Sequence, residues 1–87
     1  MNLAAAIHER LAALAPESIE LLDESGRHTG HAGAAGGGGH FDLVIVSAQF
    51  AGLGTLARHR KVYEVLGPLM HHDIHALAIR ALTPDEL

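Results

Sequence analysis

The sequence predicts an α+β protein in which helices pack on a three-stranded mixed sheet in the order α-β-β-α-α-β. Three observations carry this expectation. Apolar residues recur at helical spacing at positions 3, 7, 11 and 14 and again at 62, 65, 66 and 69. The run Leu43-Val44-Ile45-Val46 suits a strand that is central in a sheet or covered on both faces. At 87 residues the chain is expected to be one small domain, residues 1–87, with a hydrophobic core only just sufficient to hold it.

Leu3, Ile7, Leu11 and Leu14 follow Asn2, a good N-cap residue, and precede Pro16, which predicts a first helix over 3–14. Ile19 and Leu21 alternate with Glu20, so 19–24 reads as a short strand, and the break in alternation at Leu22 puts it near an edge. Residues 25–40 then form a connection about as long as structureless loops become before function must be invoked. The strongest strand spans 40–47, from His40 to Ser47. After the turn at 50–54, Thr55 is expected to cap a helix that carries Val62, Val65 and Leu66 on one stripe. Gly67-Pro68 breaks it, and a short helix from Pro68 to His72 makes a helix-turn-helix-like elbow. Ile74 to Leu82 alternates as a third strand, and Thr83 opens a capped final turn. The helical crossover requires the second and third strands to run parallel, whereas the first two can pair antiparallel.

A composition of 48% hydrophobic and 18% charged residues belongs to a folded chain rather than a disordered tail. The absence of cysteine removes disulfides, thiolate ligands of the chain's own and cysteine nucleophiles. No apolar run approaches the roughly 20 residues that span a bilayer, so no membrane association and a cytoplasmic location are expected. A net charge of −4 argues against binding driven mainly by phosphate neutralisation. Arg58-His59-Arg60-Lys61 nevertheless holds three of the six Lys and Arg residues, enough for a local patch facing DNA or an acidic partner. Catalysis is not expected, because the glycine tract lacks the Gly-Lys-Ser/Thr ending of a phosphate loop and no serine elbow is present.

Histidine is the unusual residue, at eight in the chain. His28 and His31 lie in a loop of glycine and alanine that cannot pack a core, and solvated loop histidines are the plain reading. His75 shares strand parity with Leu77 and Ile79, so alternation alone makes it core-facing. His40, beside Phe41, reads as a structural residue at a strand entrance, and His71-His72 as a surface helix end.

The stretches DESGRH, HFDLVIVSAQFAGL, RHRKVYEVL and IHALAIRALTP follow one another over nearly the whole chain, and in that order and spacing they resemble the BolA-like family. The resemblance implies a class II KH-like fold and a monothiol glutaredoxin partner with which a 2Fe-2S cluster is shared, glutathione being supplied with that partner. It implies cluster ligation by His75 and by a loop histidine, most naturally His28, with the additional His31 as an alternative. It also carries a second use, DNA binding through the helix after Gly54, and it leaves room for a homodimer of the apo protein. Two imidazoles in place of two thiolates on one iron raise the reduction potential of such a cluster. Imidazole also binds protons in competition with metal, so such a cluster is expected to become more labile on acidification.

Overall fold

The computed structural model describes residues 2–24 and 39–87, and its elements are set up by local signals. The Asn2 side chain accepts the Ala5 N–H at 3.2 Å and starts helix α1, Leu3–Leu11. The predicted helix over 3–14 is shortened by one tight 3-10 turn, Ala12–Leu14, that buries Leu14. Proline disfavours the right-handed helical region in the residue before it, and Ala15, ahead of Pro16, takes a left-handed φ of 47°.

Strand β1, Ser18–Asp23, pairs antiparallel with β2, Gly39–Val46, and β2 pairs parallel with β3, Ile74–Leu82. The sheet order is β1-β2-β3, which puts β1 at an edge and the apolar run of β2 in the centre, as the sequence suggests. Phe41, Leu43 and Ile45 point to one face, in register with Leu77, Ile79 and Ala81 of β3. That face is closed by Ile7 and Leu11 of α1 and by Val62 and Leu66 of α2, Thr55–Leu66. On the other face Asp42, Ala78 and Arg80 are exposed, so the central position of β2, not a second helical layer, explains its apolar run.

Ser47 closes the end of β2. Its buried hydroxyl donates to the Leu14 carbonyl at 2.6 Å and accepts the Gln49 N–H at 3.1 Å, which ties the end of the α1 segment to the sheet. A 3-10 turn, Ala48–Phe50, then buries Phe50 completely. The N-cap of α2 is Gly54, with no side-chain cap, and Thr55 is the first helical residue, a shift of one from the expected cap. Gly67 ends α2 at a φ of 53°, which a side chain would strain, and α3, Leu69–His72, follows. The expected capped turn at the end, Pro84–Glu86, is closed by a capping box between Thr83 and Glu86.

Candidate metal-binding site

At the start of β3 the ladder slips. Gly39 pairs with Ile74, but the next residue, His40, pairs with Ala76, so His75 is the extra residue of a β-bulge. The slip reverses parity: Ile74 is buried at 4% exposure, whereas His75 is exposed. The core-facing place that alternation predicts for His75 is therefore corrected, because strict alternation holds only along an unbroken ladder.

The backbone around the bulge is held by neighbours. Gly39 N–H donates to the Asp73 carbonyl at 2.8 Å, and Glu24 N–H donates to the His40 carbonyl at 2.7 Å. A Cβ at position 39 would overlap the Phe41 ring, which explains the glycine at the entrance to β2. His40, half-buried, places its imidazole beside that of His75, with ring centres 4.9 Å apart and planes inclined by 31°. The sequence reads His40 as a structural residue at the strand entrance; its juxtaposition with His75 follows from the pairing of β2 with β3, which no local pattern shows.

Two imidazoles are brought together and no third donor joins them: among the described residues no group of three His, Cys, Asp or Glu side chains is placed to hold a metal ion. His28 and His31, the loop candidates, lie outside the described residues. An exposed imidazole at a strand end, such as that of His75, is an accessible donor to a metal ion. His71 and His72 are exposed at the end of α3 with ring centres 6.4 Å apart, as expected of a surface helix end.

The basic cluster divides in two. Arg58, a candidate DNA or partner contact by sequence, is directed inward. Its Nε donates to the Leu53 carbonyl at 2.8 Å, and its Nη1 donates to the Ala81 carbonyl at 2.9 Å and to Glu86 Oε1 at 2.6 Å. Nη2 reaches Glu86 Oε2 at 3.1 Å, which completes a bidentate pair, and the side chain is 13% exposed. The hydrogen bond from Arg58, backed by the Thr83 N–H, holds the Glu86 carboxyl down at about 2. Arg58 thus braces α2, β3 and the final turn. Of the remaining three, Arg60 is exposed and His59 and Lys61 are half-buried. Leu56, 65% exposed, and Tyr63, 41% exposed, lie with Arg60 at i, i+4 and i+7 on the outer face of α2.

The family description "BolA-like protein" matches residues 11–86. BolA-like protein 1 of Mus musculus is 48% identical over 81 residues, which is 92% of this chain and 57% of that protein, so the chain spans a little over half the length of this relative. The DNA-binding transcriptional regulator BolA of Escherichia coli is 41% identical over 81 residues, covering 92% of this chain and 74% of the relative. The structure of the BolA domain of SufE1 from Arabidopsis thaliana superimposes with a TM-score of 0.84 at 37% identity, covering 100% of this chain and 98% of that one. The match along the chain, together with the mixed sheet and the helical crossover it shares with these structures, leads to one conclusion: this chain belongs to the BolA-like family.

Proposed function

We propose that the protein is a non-catalytic partner of a monothiol glutaredoxin, sharing with it a 2Fe-2S cluster in iron-sulfur assembly, trafficking or iron regulation. The observation that carries this reading is the bulge that turns His75 out of the core and offers its imidazole to solvent at the sheet end. The cysteine-free composition is consistent with it, since the chain then brings imidazole donors and the partner and glutathione bring thiolates. The second ligand from this chain is assigned to the loop, His28 or His31. When bound, a cluster with imidazoles on one iron has a higher potential than an all-thiolate cluster. In this reading His75 would hold an iron of the cluster from a strand end.

The test is visible absorption and circular dichroism of the anaerobically reconstituted mixture of this protein, a monothiol glutaredoxin and glutathione. A spectrum distinct from that of the glutaredoxin alone, lost in His75→Ala, is the expected result. An unchanged glutaredoxin spectrum would remove the shared cluster.

A second reading, DNA binding, is favoured by the name of the Escherichia coli relative and by the exposure of Arg60 on α2. Charge reversal of Arg60 and Lys61 to glutamate is expected to weaken such binding steeply and to reduce its dependence on salt. Binding that keeps its full salt slope in this variant would end that reading.

A further inference from the structure

We propose that His40 and His75 form a two-imidazole half-site for a first-row divalent transition-metal ion of the Co2+, Ni2+, Cu2+ and Zn2+ class, its remaining coordination positions open to water or to donors of a partner. The inference rests on the reading of His75 as a ligand and extends it to His40, a residue on a strand rather than in the loop.

The ring separation is compatible with two donors to one ion. With metal–nitrogen bonds of roughly 2.1 Å and ring centres roughly 1.1 Å beyond the nitrogen, two imidazoles on one ion have centres roughly 4.5 Å apart at a right angle and roughly 5.2 Å apart at a tetrahedral angle. The separation of 4.9 Å between His40 and His75 falls between these values. Both backbones are fixed. His40 sits in the ladder, bonded through its carbonyl to Glu24 N–H at 2.7 Å, and His75 is set by the bulge between Ile74 and Ala76. Donors placed on strands need less ordering on binding than donors on a loop. The neighbour in register with His40 is Ala76, whose small side chain and exposure leave the pair accessible. Imidazole suits this class of ions, and a site with only two protein ligands keeps the open positions that exchange with a partner requires. The pair His71-His72, with centres 6.4 Å apart on one short helix, provides an internal control.

Zinc binding is measured by titration calorimetry on the full chain at neutral pH, without glutaredoxin, for wild type, His40→Gln, His75→Gln and His71→Gln. Because the second imidazole acts as an intramolecular donor, losing either member of the pair is expected to weaken zinc binding roughly tenfold or more, and losing both is expected to add little. His71→Gln is expected to bind as wild type does. In parallel, substoichiometric Co2+ is expected to broaden the side-chain NMR signals of His40 and His75 before those of the other histidines, a readout that needs no variant to fold. Wild-type affinity in His40→Gln, or broadening of His75 without His40, would overturn the half-site and leave His40 as a stacking neighbour only. Glutaredoxin-dependent cluster formation fails separately: His40→Gln that binds no zinc but still forms the cluster sinks the half-site's part in it, whereas zinc binding without any cluster leaves the half-site and removes the shared-cluster reading.

Discussion

The two ends of β3 hold the chain's polar side chains in opposite ways. At its C-terminal end Arg58 is bonded to two carbonyls and both oxygens of Glu86, and Glu86 in turn accepts the Thr83 N–H at 2.8 Å. The Arg58 guanidinium is thus fully engaged by groups of the chain itself. At its N-terminal end a bulge turns His75 outward beside His40, and the two imidazoles meet each other at the surface. Arginine is permanently charged and forked, which suits a bidentate brace, whereas imidazole is a neutral ligand at an accessible edge. Sequence proximity to a motif does not tell the two situations apart: Arg58 lies in the most basic stretch of the chain and is the residue of that stretch engaged inside.

The comparison can be broken most completely at the histidine end. His75→Ala is expected to abolish the glutaredoxin-dependent spectrum while leaving far-UV circular dichroism unchanged, since the side chain is exposed and makes no core contact. Loss of both signals would mean that the bulge histidine is structural. Next in size is Gly39→Val. The added side chain would meet the Phe41 ring and Leu3 Cδ2, so a loss of about 1–3 kcal/mol in denaturant unfolding is expected, with His40 and His75 separated as β2 shifts.

At the other end, Arg58→Ala is expected to lower the unfolding midpoint clearly, because two carbonyls and a carboxylate lose their donor, whereas Arg60→Ala two residues on is expected to stay within about 0.5 kcal/mol of wild type. Equal effects would deny Arg58 its bracing role. The smallest effect is the dependence on acid. Glu86 titrates at about 2 in the folded chain against 4.5 ordinarily, so the unfolded chain binds the proton first as pH falls. The stabilisation is therefore complete above 4.5 and is lost as pH falls toward about 2. Glu86→Gln is expected to flatten that part of the stability profile while leaving the neutral region less affected than Arg58→Ala does.

Much of this was legible in the residues. Asn2 as a cap, Gly67-Pro68 as a break, the edge place of β1 and the capped turn opened by Thr83 follow from local chemistry that needs no partner far along the chain. The first helix shortened and the cap of α2 moved by one residue, the ordinary latitude of helix ends. The site was less legible. The family resemblance points to His75, but its outward turn depends on a slip in pairing with β2, and the place of His40 beside it rests on strand pairing between residues 35 positions apart, which is invisible in either local pattern. The bracing role of Arg58 is hidden for the same reason, since its partner Glu86 stands 28 residues away.

The sequence by itself determined the order of elements, the central strand, the crossover that makes β2 and β3 parallel, and the exclusion of thiolate chemistry from this chain, because periodicity, caps and composition are properties of neighbouring residues. The tertiary structure alone decided which histidine meets His75 and which arginine is engaged in the fold. Both are settled by register: one extra residue in a parallel ladder reverses the face of a side chain, and a strand end brought against a helix gives a guanidinium its carbonyls.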